Sequence, residues 1–237
     1  FAWGYLVYLA WGMAAAPMGA EAVMPRTQAW SLWDFLFMFI MWSVMMVAMM
    51  APSAAPMLLM FARLNRQWRA RQEPYVPAGL FLLGYVMVWA GFSLLATLAQ
   101  GWLQATALLS PAMVSASPIL GGVILVAAGI FQWTPLKHIC LRRCRSPLAF
   151  LMTGWREGAR GALLMGLRYG SFCTGCCWLL MALLFVTGVM NVLWVAMLSL
   201  FVLLEKVIPG GHATGMLVSR ISGVFLMMWG GWMLVST

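Results

Sequence analysis

Six methionines fall between Met38 and Met50, in a run that carries no charge and ends at Pro52-Ser53. On a helix Met38, Met41, Met45 and Met49 follow one another at three or four residues and share a face, with Met46 and Met50 widening the stripe. Thioether sulfur is soft and uncharged, so a column of it can hold Cu(I) within hydrocarbon without burying a charged ligand. Methionine also fills gaps between packed helices, which gives the stripe a packing reading beside the metal one.

Cys173, Cys176 and Cys177 form a second sulfur group. A helix puts Cys173 one turn from both of the others, so three thiols could converge on a single soft ion. Cys173 lies about ten residues, or roughly 15 Å, into its apolar segment, the depth at which Met45 to Met50 fall in theirs. Packing explains two sulfur clusters at matched depth less readily than either alone, although a buried cysteine also behaves as a small hydrophobe. A third group is His138, Cys140 and Cys144, with the thiols one helical turn apart. It suits an entry or exit ligand set; the spacing is not that of a zinc knuckle, and incidental loop cysteines are the alternative. Glu205, beside Lys206, is a candidate metal ligand, proton relay or counter-ion, the alternative being an ion pair with Lys206, Arg168 or Arg220. His212 reads as a turn residue and Asn191 as a helix cap.

These groups need a scaffold, and composition indicates which kind. The chain has 237 residues, 64% of them hydrophobic and 8% charged, with a mean hydropathy of +0.93. That is too little polar surface for a soluble globule, and the sequence reads as one integral membrane domain over residues 1–237: an all-α, polytopic transmembrane helix bundle of six or seven spans. Apolar segments run at 1–16, 32–61, 79–99, 119–133, 163–186, 192–208 and 216–235. The second would span roughly 45 Å if straight, but Pro52 and Pro56 each remove a helix hydrogen bond and predict a kink or break after the methionines. The chain opens at Phe1, already apolar and without an initiator methionine, as a truncated or processed chain would, and shows no secretory cleavage site.

Fourteen Lys and Arg against five Asp and Glu give a net charge of +9. No basic run is interleaved with aromatics in a soluble stretch, so nucleic acid is set aside; the charge reads as cytoplasmic loops facing a lipid bilayer. Arg63 to Arg71, Lys137 to Arg168, and Lys206 with Arg220 mark three cytoplasmic connections, against Arg26 alone on the opposite side. Gln100 to Pro118 is uncharged and suits an extracytoplasmic loop or a half-buried cap. The connection of about 30 residues before the fifth segment is too short for its own core; Leu148 to Gly161 within it fits a short interfacial helix. Gly154/Gly158 and Gly166/Gly170 would let helices approach closely. Trp30, Trp33, Trp102, Trp155 and Trp194 sit near segment ends, as interfacial anchors do.

Met41-Trp42 through Met49-Met50-Ala51-Pro52-Ser53, then Thr134-Pro135-Leu136-Lys137 with Cys140 and Cys144-Arg145-Ser146-Pro147, then Cys173 with Gly175-Cys176-Cys177-Trp178 and Met190-Asn191, and finally Glu205-Lys206, carry a resemblance. In these motifs the chain resembles a bacterial family described as predicted metal-binding integral membrane proteins of unknown function. The resemblance implies a membrane metal site of copper type and an inner-membrane location; it implies no reaction.

The sequence thus points to a Cu(I)-handling membrane protein acting in transport, delivery or assembly, with a copper chaperone, a copper enzyme or the subunits of a larger membrane complex as partners. The lack of clustered His, Asp and Glu argues against a hydrolytic zinc centre, and no catalytic turnover follows from these residues. Two alternatives stand: a membrane thiol-disulfide oxidoreductase using Cys173 and Cys176, and a structural subunit in which every sulfur serves packing.

Overall fold

A computed structural model describes residue 4 and residues 30–70, 78–106, 117–156, 158–189, 191–208 and 211–236. Among them there are helices and turns and no strand. In chain order the helices are α1 (Leu32–Ala70), α2 (Ala78–Ala105), α3 (Pro118–Phe131), α4 (Pro135–Arg145), α5 (Pro147–Gly154), α6 (Gly158–Ala182), the single turn α7 (Leu184–Thr187), α8 (Val192–Val207) and α9 (Gly211–Val235). The expected first segment, 1–16, lies outside the described residues apart from residue 4, as do Arg26 and Arg71.

Four helical stretches are long and apolar enough to cross a membrane: Leu32–Arg66, Ala78–Ala105, Gly158–Thr187 and Thr214–Val235. The pair α3 and α4, bent by 64°, makes a fifth if it counts as one span. Among the described residues that is fewer than the six or seven expected. Length is the reason. With 16 residues, α8 rises about 24 Å, short of a hydrocarbon core of about 30 Å. With 14 residues, α3 is shorter still, and it stops where Thr134 caps the next helix: its side chain accepts from the Lys137 amide at 3.3 Å, with Pro135 at the first helical position.

The expected break after the methionines is absent. α1 runs continuously through Pro52 and Pro56. Neighbouring side chains supply donors in the turn that Pro52 disturbs: Ser53 Oγ donates to the Met50 carbonyl at 2.9 Å, Ser199 Oγ to the Met49 carbonyl at 2.9 Å, and Tyr85 Oη to the Met50 carbonyl at 3.4 Å.

α6 is the centre of the packing, lying against α2, α4 and α3, while α1 packs on α2 and α8, and α3 on α9. Two of its contacts depend on absent side chains. A Cβ on Gly84 would come within 2.8 Å of the Leu167 amide nitrogen, and one on Gly166 within 2.9 Å of the Phe81 carbonyl carbon, so α2 and α6 approach backbone to backbone. Gly166/Gly170 is therefore a helix-contact pair as expected. Gly158 serves another purpose: with φ +78° it opens α6 out of the turn that follows α5. At the same end of the core Phe61 stacks on Phe81 (4.9 Å) and Trp155 (5.7 Å), and Phe150 meets Tyr169 edge-on at 5.5 Å. These rings tie α1, α2, α5 and α6 together.

The cytoplasmic connection before the fifth segment is folded into α4 and α5, the latter starting at Pro147 where a short helix was expected, and their Cys140, Leu141, Cys144, Phe150 and Leu151 are buried. α2 continues through Gln100 to Ala105, into the stretch expected to be an extracytoplasmic loop or a half-buried cap. Gln100 is buried, accepting from Trp42 Nε1 at 2.6 Å. Asn191 caps α8 as expected, its side chain accepting from the Trp194 amide at 3.4 Å. His212 falls in the first turn of α9, and its side chain is outside the described set.

Candidate metal centre

Met45, Met46, Met49 and Met50 of α1 and Cys173, Cys176 and Cys177 of α6 are all buried in one apolar core. Two polar side chains join the two groups. Tyr85 Oη lies 3.2 Å from Cys173 Sγ while donating to the Met50 carbonyl. Lys206 Nζ donates to Cys173 Sγ at 3.0 Å and to Ser53 Oγ at 3.0 Å. The α1 turn from Met50 to Ser53 is thus linked to Cys173 of α6 through Tyr85 of α2 and Lys206 of α8.

The three cysteines of α6 lie close together, the thiol of Cys177 interacting with those of Cys173 and Cys176. Cys176 Sγ and Cys177 Sγ donate back to the Cys173 carbonyl at 3.0 and 2.9 Å, the local bond a small polar side chain makes within a helix. Cys173 Sγ also meets Lys206 and Tyr85. Among the described residues no three of His, Cys, Asp and Glu form a group that could hold a metal ion. A soft site here would have to combine thiols with thioethers, and the methionines beside them can supply those.

α4 brings the remaining thiols to the same place. Cys144 interacts with the thiol of Cys176. Cys140 sits over Gly175, where a Cβ would come within 2.9 Å of its Sγ. All five cysteines are buried and free. His138 does not join them: it lines a small pocket with Leu141, Arg142, Arg145 and Met216, and its Nε2 is buried without a hydrogen-bond partner among the described residues. The expected set of His138, Cys140 and Cys144 is therefore split by the helix, two members facing α6 and one facing α9.

Glu205 is paired, as the alternative reading had it, but with a partner that reading did not name. Its carboxylate accepts from Lys137 Nζ at 2.8 and 2.9 Å and from Ser219 Oγ at 2.8 Å, and Lys137 also donates to the side-chain carbonyl of Gln132. Lys206 cannot take that role because successive helix residues point about 100° apart. Arg168 lies over the Phe172 ring and Arg220 over the Trp133 ring. Lys137 and Lys206, read above as loop charges, are both buried. Sequence reasoning thus missed Lys206, Lys137, Tyr85 and Ser199 as parts of this core. A lysine at the end of an apolar segment was a usable signal, since buried ionisable groups in such segments need partners. A lone tyrosine or serine gives none.

The family model of PpoB2, described as a copper chaperone, matches residues 39–233. The chain belongs to this copper-chaperone family. It matches no curated protein and no solved structure. The PpoB2 match takes in all five cysteines and the methionines from Met41 onward. Copper suits that inventory, because Cu(I) prefers thiolate and thioether over the carboxylate and water that harder ions select.

Proposed function

We propose that the chain is a membrane-embedded Cu(I) carrier. It binds the ion between the Cys173 turn of α6 and the Met45 to Met50 turns of α1, and passes it to a copper enzyme, a chaperone or a neighbouring subunit. The observation that carries this reading is Cys173, a thiol that Lys206 and Tyr85 tie to the α1 turn from Met50 to Ser53. Cys173 with Cys176 or Cys177 supplies thiolates, and Met45, Met46, Met49 and Met50 supply neutral donors. Cys140 and Cys144 form the step between this core and the basic end of the molecule. Glu205 holds Lys137 and takes no part in ligation, since Lys137 and Ser219 already engage its carboxylate.

The membrane setting is supported by what faces outward. Leu95 and Leu98 of α2 and Phe225, Met228 and Trp232 of α9 are exposed, on helices long enough to span; such apolar faces suit lipid and not water. Exposed Arg142 and Arg143 support an orientation with the α4 end at the cytoplasmic face of a bacterial inner membrane. The oxidoreductase and metal-free readings gain nothing from membership of a copper-chaperone family.

The test is metal content of anaerobically purified protein in detergent after Cu(I) reconstitution. Near-stoichiometric copper in the wild type, lost in Cys173→Ser/Cys176→Ser/Cys177→Ser and reduced in Met45→Leu/Met49→Leu, is expected. Absence of copper from the wild type would end the carrier reading.

A further inference from the structure

Lys206 is buried against the sulfur core, its ammonium 3.0 Å from Cys173 Sγ and 3.0 Å from Ser53 Oγ. Glu205, its neighbour in sequence, is engaged by Lys137 and Ser219, so the Lys137–Glu205 pair is neutral by itself and leaves Lys206 to the thiols. An ammonium in an apolar core is costly unless a negative charge lies close, and the group facing this one is sulfur.

We infer that Lys206 is a fixed counter-cation that fits the cluster to a monovalent soft ion and sets it against divalent ones such as Zn(II) and Co(II). The inference rests on the carrier reading and adds its selectivity. Cu(I) held by Cys173 and a second cysteine as thiolates has one net negative charge, which Lys206 cancels. The second thiol gives up its proton as it binds, and the thiolate donor that delivers the copper takes that proton up, so charge and atoms balance. A divalent ion between the same thiolates is already neutral, and Lys206 then leaves an uncompensated positive charge in the core. At an effective dielectric of about 20, one additional unit charge about 4 Å from an ammonium changes affinity on the order of a thousandfold, and partial screening leaves at least about a hundredfold.

The experiment uses the full chain, reduced and anaerobic in detergent. Cu(I) affinity is read by competition with a chromophoric Cu(I) chelator, and Co(II) affinity by thiolate-to-cobalt charge-transfer absorption, for wild type, Lys206→Met, Lys206→Gln and Lys206→Arg. The ratio of Cu(I) to Co(II) affinity is expected to fall at least about a hundredfold in both neutral variants and to stay within about fivefold of wild type in Lys206→Arg. A substitution that merely loosens the fold weakens both ions together and leaves the ratio where it was. An unchanged ratio in Lys206→Met and Lys206→Gln, with Cu(I) bound by the wild type, overturns the selectivity role and leaves the carrier standing. A wild type that binds no Cu(I) brings down both.

Discussion

Lys137 and Glu205, on α4 and α8, form an ion pair at 2.8 Å with side chains 0% and 2% exposed. Removing one partner strands the other charge in an apolar core, which costs about 3–5 kcal/mol, whereas replacing both by apolar residues is often near neutral. Lys137→Met and Glu205→Leu should therefore each lower the thermal midpoint in detergent sharply, with the double variant recovering most of the loss. Copper content of the double variant is expected to match wild type; its loss would return Glu205 to the ligand set.

Close approach of α2 and α6 gives a second prediction. Gly84→Ala and Gly166→Ala each push a methyl into the backbone of the facing helix, an overpacking cost of about 1–3 kcal/mol. A Cβ on Gly91 of the same α2 meets nothing within 4 Å, and Gly91→Ala should be neutral or stabilising by up to about 1 kcal/mol, because alanine favours helix over glycine. Denaturation midpoints of the three variants decide this; equal effects would mean the α2 and α6 backbones are not in contact.

Much of this arrangement was legible in the sequence. Apolar runs of 20 or so residues announce long helices, Asn191 announces a cap, and sulfur clusters at matched depth place α1 against the same core as α6. Three things were not. Among the described residues the span count is lower than expected because hydropathy does not see that α8 is short or that α3 ends at a Thr-Pro cap and turns by 64°. Pro52 does not end α1, which runs on through it, while Ser199 and Tyr85, both distant in sequence, donate to the carbonyls of Met49 and Met50 just before it. Lys206 and Glu205 are adjacent in the chain, which suggested a pair, yet they face different helices and serve different partners.

Tyr85 is, with Lys206, one of two polar links between α1 and Cys173, and its hydroxyl can be removed alone. Tyr85→Phe keeps the ring that packs on Tyr169 at 5.9 Å and deletes the contact to Cys173 and the bond to the Met50 carbonyl. A single buried hydrogen bond is worth about 1 kcal/mol, and its loss at a ligand that must be held in place should lower Cu(I) affinity roughly fivefold with little change in stoichiometry. Chelator competition measures this. An affinity equal to wild type would make Tyr85 a packing residue only.

If copper passes through Cys140 and Cys144 as proposed, these residues separate binding from transfer. Both thiols lie on α4, packed over Gly175 and beside Cys176, between the core and the exposed Arg142 and Arg143. A relay ligand lowers the barrier to moving an ion without adding to its final stability, so Cys140→Ser/Cys144→Ser should keep the copper content of the wild type while slowing its loading. Stopped-flow transfer from a soluble Cu(I)-thiolate donor is expected to slow by at least about tenfold, which corresponds to about 1.4 kcal/mol on the barrier. Serine is nearly isosteric, so the fold should survive. Unchanged transfer kinetics would remove Cys140 and Cys144 from the route, and a loss of bound copper at equilibrium would instead make them ligands of the resting site.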